Sequence, residues 1–332
     1  MVSCIYVESG VRHHQRTLKI LSRFKNTAVV EIEFYGEVFN PRAQNFRSQK
    51  SSPALIIAQK HKGHVLPAPQ GYGLGGRHNY YFSHMLNCPY DCRYCFLQGM
   101  YRSAHQVIFI NYESFGDEIT RLSGLHGAEP VWYFSGYDCD SLAYEPVTQF
   151  TGFFAPLFSN ISNAWLELRT KSTQIRQLLR HEPCERIITA FSFTDQHSHA
   201  RLEHGVPSIE KRIGAIQSLL AAGWPVGLRF DPVVYHENYQ LAFAKMLDKI
   251  FNTIDSGKIH SVSLGAFRLP KDNFRQVKRL YPDEPLFAQN LALNNGMVGY
   301  APAQQQDMMA YCEQQLLQYI PGHCYYRCNW RD

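Results

Sequence analysis

The hydrophobic pattern of the chain falls into two regimes. From Met1 to about Gly76 it is irregular. Ala28–Phe34 (AVVEIEF) alternates apolar and polar residues with the period of a half-buried strand, and Ala54–Ala58 (ALIIA) is a short apolar run of the fully buried kind. The polar stretch Asn40–Ser52 reads as a loop between them. Pro67–Gly76 (PAPQGYGLGG) is dense in glycine and proline and reads as a turn-rich connection. From Arg77 onward the character changes, and short apolar runs alternate with stretches of helical period. Strands are predicted at Tyr80–Ser83, Val131–Ser135, Ala164–Arg169, Arg186–Phe193, Val226–Asp231 and Ile259–Phe267. Helices are predicted at Tyr112–Leu125, Ser172–Leu179, Ser208–Ala222, Tyr239–Phe251 and Lys271–Leu280. A last helix, about Ala303–Tyr319, follows a turn at Asn294–Gly296.

Strands alternating with helices of this length imply βαβ units and a parallel sheet. Six such strands with right-handed crossovers close partway into an incomplete (β/α) barrel or lie open as a doubly wound sheet. In both cases the loops after the strand C-termini carry the chemistry. The expected organisation is an N-terminal segment over 1–76, a core over 77–300, and a C-terminal helix and tail over 301–332.

Composition narrows the class. With 332 residues, 45% hydrophobic and 18% charged, the chain is a globular α/β protein rather than a disordered or disulfide-stapled one. No stretch approaches the roughly 20 consecutive apolar residues of a membrane span. The start, MVSCIYVESGVRHHQR, lacks a positive end followed by an apolar run, so the cytoplasm is the expected address. A net charge of +5 permits a nucleic-acid partner without demanding one. Nine cysteines, an odd count, argue against a complete disulfide framework and leave room for thiolate chemistry.

The sharpest feature is Cys88-Pro-Tyr-Asp-Cys92-Arg-Tyr-Cys95, on the loop after the first core strand. Three thiolates at this spacing can face a common point. A closed structural zinc site takes four ligands, and an all-cysteine [4Fe–4S] cluster also takes four. Three in one compact loop leave one iron open to bind something else. A zinc knuckle, or cysteines that merely pack, is the competing explanation.

The triplet resembles the cluster loop of the radical S-adenosylmethionine superfamily. That resemblance implies a [4Fe–4S] cluster on Cys88, Cys92 and Cys95, S-adenosylmethionine on the open iron, and reductive cleavage to a 5′-deoxyadenosyl radical. It places Tyr94 near the adenine. Within the superfamily, Asn87–Gly99 (NCPYDCRYCFLQG) looks like the cluster loop of the spore photoproduct lyase family. Ile5–Val7, Ser51–Ala58, Arg169-Thr170-Lys171, Phe191-Ser192-Phe193 and Val226–Tyr235 with His236-Glu237 carry looser similarity across nearly the whole chain. The family resemblance implies a partial (β/α)6 TIM-type barrel and a lyase that repairs a DNA pyrimidine photolesion by carbon–carbon bond cleavage. It also implies an electron donor such as flavodoxin or ferredoxin.

Two departures from the family pattern stand out. The residue after the third cysteine is Phe96, where the family has a tyrosine, so no hydroxyl is available there to relay a hydrogen atom. The family's hydrogen-donor cysteine is matched by Tyr137, with Cys139 two residues on. A shift of two keeps the same strand face, so Cys139 and Tyr137 are both candidate donors.

Further binding candidates follow from the strand ends. Ser135 and Gly136 close the second core strand, where the superfamily holds the methionyl amino group, and glycine lets backbone approach a ligand. Asp140 adds an acceptor for an ammonium. Lys171 falls where the family pairs the methionyl carboxylate. Ser192, within an apolar strand, needs a partner, either a ribose or carboxylate of the ligand or a backbone carbonyl. Arg229 and Asp231 alternate and face one side, so they contact a ligand or form a salt bridge with each other or a neighbour. Cys312, Cys324 and Cys328 leave a second metal site open, while Cys4 and Cys184 read as structural. Cys324–Arg331 (CYYRCNWR) mixes aromatic and basic side chains suited to bases and phosphates, or to docking on the barrel. Two other functions stay open: a radical enzyme acting on an RNA base, a peptide or a small metabolite, and a zinc-bearing nucleic-acid-binding module.

Overall fold

Six apolar runs of the second regime become six parallel strands in register. In the computed structural model, which describes residues 2–69 and 71–328, they are His78–Phe82, Val131–Ser135, Ala164–Thr170, Ile187–Ser192, Val226–Val233 and Ile259–Ala266. They lie side by side in chain order. Two strands widen this sheet to eight. Tyr325–Arg327 adds in parallel beyond the sixth strand, and Leu66–Pro67 pairs antiparallel with the first. The result is a curled, partial (β/α)6 barrel, and of the two expected sheet forms the open doubly wound one is set aside.

Alternation along the strands decides what faces where. Tyr133 turns outward, its ring 5.5 Å from Phe158 of helix Phe150–Asn160 and its hydroxyl donating to the Ile119 carbonyl 3.0 Å away in helix Tyr112–Leu125. Phe230 likewise packs on Phe243 of helix Tyr239–Phe251. With period two, Glu167, Arg169, Arg229 and Asp231 face the barrel interior. Burying such charges needs close pairing. Glu167 supplies it, at 2.8 Å from Arg229 Nη2 and 2.9 Å from Arg169 Nη2. Arg229 also donates to the Ser261 hydroxyl and to the carbonyls of Leu228 and Ser261, each at 3.0 Å. Burial alone would raise the Glu167 carboxyl, but the two guanidiniums outweigh it and hold it at about 2. Arg229 and Asp231 therefore pair with different neighbours, not with each other, and Asp231 accepts from Arg268 at 3.0 Å.

Residues before the barrel form a second sheet. Ile5–Glu8 lies between Val29–Ile32 and the fully buried Leu55–Ala58, and Gln106–Phe109 and Met85–Leu86 extend it. The two added strands come from beyond residue 77, so this sheet is built jointly by the N-terminal segment and the cluster-loop region. Leu291–Asn294 and Met297–Tyr300 form a hairpin around Asn295 and Gly296, both with positive φ, which suits a two-residue turn. Among the described residues, no helix is long and apolar enough to cross a membrane.

One expected helix is absent. Ser172–Leu179 is a loop ending in the short turn Leu178–Arg180. The Thr170 hydroxyl accepts from the Ser172 amide and the Ser172 hydroxyl from the Gln174 amide, at 2.9 and 3.2 Å. These local bonds compete with helical ones.

Removing the shared anion should leave two guanidiniums buried without a partner. Glu167→Ala should cost about 3–5 kcal/mol of unfolding free energy, read as a lower urea midpoint. A loss below about 1 kcal/mol, the scale of a surface pair, would contradict this assignment.

Candidate active site

At the C-terminal ends of the barrel strands lies a cavity of about 250 Å³. The cluster loop forms part of its wall, and Cys88, Cys92 and Cys95 all line it. Three separate segments hold this loop. Lys50 donates to the carbonyls of Cys88 and Tyr90 at 2.7 and 2.8 Å. Asp91–Cys92 pairs antiparallel with Glu203–His204, and the Arg93 amide donates to the Leu202 carbonyl at 2.8 Å. From helix Lys271–Leu280, the following residue Tyr281 donates toward Asp91 and Gln98, while Arg93 lies 3.9 Å from its ring centre. Asn87 enters the loop with φ of 65°, its amide donating to the Ser103 and His105 carbonyls.

Burial pushes the Cys88 thiol up to about 12, and it raises Cys92 and Cys95 as well. Lys50 and Lys171 oppose this only in part. A bound cation is the usual means of keeping buried thiols as thiolates, so the donor set fits a metal cluster. Among the described residues, no three His, Cys, Asp or Glu side chains close around a single ion. A closed structural zinc site takes four ligands, and this loop supplies three thiols.

The remaining sequence-predicted residues divide cleanly. Tyr94, Gly136, Tyr137, Cys139, Asp140, Lys171, Ser192 and Asp231 line the same cavity. Ser135 does not. It is buried, and its hydroxyl lies 2.8 Å from that of Ser141. Gly136 has φ of +86°, and a Cβ there would meet Ser141 Oγ at 2.6 Å and the Arg169 carbonyl at 3.0 Å. Only glycine fits. Asp140 lines the cavity but also clamps its wall, accepting from the amides of Leu142, Ala143 and Lys171 and from the Thr170 hydroxyl. The Ser192 carbonyl accepts from Arg212 at 2.6 Å.

Lys171 sits 5.5 Å from the centre of the Tyr94 ring. Burial would lower its ammonium, but Glu203 and the Cys92 thiol more than offset this and raise it. Glu203 is the unannounced centre of this side. It accepts from the Tyr94 hydroxyl, from Arg212 at 3.0 Å and faces His199 at 2.8 Å. Burial would raise it, and Arg212 foremost holds it at about 2 instead. No spacing signal in the sequence marks Glu203, because its partners converge from distant segments. Tyr137 packs against Tyr81, Phe96 and Tyr72, with ring centres 4.4, 5.4 and 5.6 Å away. Arg169, Ser263, Arg268 and Cys328 also line the cavity, and no sequence pattern marks them as ligand contacts.

Of the C-terminal cysteines, only Cys328 reaches the cavity. Cys312 is buried in helix Pro302–Leu316, and Cys324 in the turn before the last strand. They do not form a common metal site among the described residues. The aromatic and basic run continues into Asn329, Trp330 and Arg331, which lie outside the described residues.

The spore photoproduct lyase family profile matches residues 78–314. This chain belongs to that family. Spore photoproduct lyase of Bacillus subtilis (strain 168) is 21% identical over 291 residues, covering 85% of this chain and 83% of that one. Among solved structures, a spore photoproduct lyase double mutant with bound AdoMet and dinucleoside spore photoproduct superimposes with a TM-score of 0.86 at 15% identity, covering 100% and 99% of the two chains. Spore photoproduct lyase complexed with dinucleoside spore photoproduct gives 0.84 at 15% identity, covering 99% and 98%. At that identity the structural likeness is one of fold, and it spans the family member from end to end.

Glu203 also sets an acid limit. Its carboxyl is held below the ordinary value of 4.5, so its stabilisation is fully present above about 4.5 and disappears as pH falls through about 2. The stability gap between wild type and Glu203→Gln, read by urea titration of the apo chain, should be largest at neutral pH and close across that window. A gap unchanged down to pH of about 2 would refute the ion-pair assignment.

Proposed function

We propose that this chain is a radical S-adenosylmethionine lyase that repairs a pyrimidine photolesion in DNA by breaking a carbon–carbon bond. The observation that carries the reading is the placement of Cys88, Cys92 and Cys95 on one wall of a cavity that Lys171 and Gly136 also line. The three thiols would hold a [4Fe–4S] cluster. When bound, the cluster and S-adenosylmethionine supply one-electron chemistry that yields a 5′-deoxyadenosyl radical.

The chain's own residues bind, orient and shield. Lys171, raised in the cavity, pairs with a carboxylate, and the wall at Gly136 and Asp140 receives an ammonium. Tyr94, its hydroxyl fixed by Glu203, offers a ring to an adenine, while Ser192 and Asp231 offer polar atoms to a sugar. The returning hydrogen atom must come from a side chain in the same space, and from the second strand's end Tyr137 and Cys139 both reach it. The electron comes from a flavodoxin- or ferredoxin-type protein. All nine cysteines are free, as a reducing cytoplasm would keep them.

Anaerobic reconstitution should load about four irons per chain, and dithionite should then yield 5′-deoxyadenosine. Turnover should require ultraviolet-irradiated oligonucleotides rather than undamaged ones. Cys92→Ala should abolish iron loading. Lys171→Ala should raise the KM for S-adenosylmethionine roughly tenfold, the scale of a lost hydrogen bond to a charged group. A colourless, zinc-only protein would refute the reading, and equal turnover on undamaged DNA would remove the photolesion from it.

A further inference from the structure

The cavity has a second reactive wall that the cofactor reading leaves unused. It lies beyond the sixth barrel strand, at the opposite edge of the six-strand array from the strand that leads into the cluster loop. Cys328 follows the added strand Tyr325–Arg327, and its amide donates to the Leu264 carbonyl at 2.9 Å, which fixes it against the sixth strand. Its side chain lines the cavity with Ser263, Arg169, Asp231 and Arg268. Ser263 is 2% exposed, and its hydroxyl has no hydrogen-bond partner among the described residues. Burial raises the Cys328 thiol, so the sulfur on this wall keeps its hydrogen. A buried hydroxyl without a partner costs about 1–3 kcal/mol, and the cavity it faces is where a ligand atom would satisfy it. Ser263 and Arg169 offer donors and Asp231 an acceptor, the complement of the carbonyl and N–H edge of a pyrimidine.

The two expected hydrogen donors are placed less well. Cys139 is 4% exposed and packs in the core of the second sheet with Ile5, Met85 and Ile108. Tyr137 is enclosed by three aromatic rings, one of them Phe96, which cannot relay a hydrogen to it.

We propose that Cys328 is the thiol that returns a hydrogen atom to the repaired pyrimidine, which sits against the Ser263 and Asp231 wall. This rests on the photolesion reading above. Once the carbon–carbon bond has broken, the substrate carbon radical takes hydrogen from Cys328. The S–H bond breaks, a C–H bond forms, and a thiyl radical stays on sulfur. One electron from the flavodoxin- or ferredoxin-type donor and one proton from water restore the thiol.

Two arms test it. In the apo chain, maleimide labelling of Cys328 is followed by peptide mass spectrometry with and without a thymine dinucleoside photoproduct. The photoproduct should slow labelling about fivefold or more, and Ser263→Ala should weaken that protection, as expected when a ligand covers the site. An unchanged rate overturns the proposal. In the reconstituted enzyme, turnover in D2O should place deuterium from the exchanged thiol in the repaired thymine. Cys328→Ala should lower that incorporation by about tenfold or more, while Cys312→Ala, outside the cavity, keeps most of it. Loss in Cys139→Ala or Tyr137→Phe with retention in Cys328→Ala overturns it. Wild-type 5′-deoxyadenosine is read in parallel. If none forms, the radical reading fails by itself, and the labelling arm still decides whether Cys328 meets the base.

Discussion

The barrel interior is charged, and one carboxylate makes that tolerable. Glu167 lies between Arg229 and Arg169, two guanidiniums that strand alternation forces inward beside it. Two cations buried without an anion would repel each other in a medium that screens them poorly. The shared anion ties the third strand to the fifth across the fourth, and it closes the lower interior. What remains open is the upper end, floored by Arg169 and Asp231. The cavity is thus the part of the interior that this network does not fill. Asp231, one step higher on its strand, needs a cation of its own and finds Arg268 just beyond the sixth strand.

The cluster loop is held on a different principle. It has little regular structure, and its order is imported from Lys50, from the Glu203–His204 pairing and from Tyr281. Each partner is distant in sequence, so the loop's shape depends on contacts with elements outside it. Glu203 does double service here, because the group that orients Tyr94 also steadies the strand pair holding Cys92. A loop that must present three thiols to one side gains from support outside itself, since its own backbone carries few bonds.

Most of the barrel was legible in the sequence because period and length agree there. Tyr112–Leu125, Tyr239–Phe251 and Lys271–Leu280 form helices with the expected bounds, and the six strands sit where the apolar runs are. The cysteine spacing was legible for the same reason, being local. What the chain hid was non-local or locally contradictory. Gln106–Phe109 is four residues long and becomes a strand by pairing with Leu55–Ala58. Phe150–Asn160 contains Gly152 and Pro156, yet it is a helix because its phenylalanines fill the space over the first two strands. Ser172–Leu179 has helical composition, but its hydroxyls bond to nearby amides first. Ser135 lies at its strand's end as expected, and its hydroxyl meets Ser141, a partner no sequence spacing marks. Arg229 announced a need for a partner, and no local pattern named Glu167.

The departures from the family pattern make sense together once the cavity walls are compared. Phe96 and Tyr137 are neighbours, and with Tyr72 and Tyr81 they form an aromatic wall. Such a wall shields a reactive centre from water and offers ring faces to a base. With Phe96 in place of a relay tyrosine, the rings beside Tyr137 carry packing rather than a second hydroxyl. The last described residue, Cys328, brings a thiol to the opposite edge, beside a serine with an unsatisfied hydroxyl. If the hydrogen returns from that edge, the aromatic wall is left to shape the faces of a base while Ser263 and Cys328 meet its polar edge.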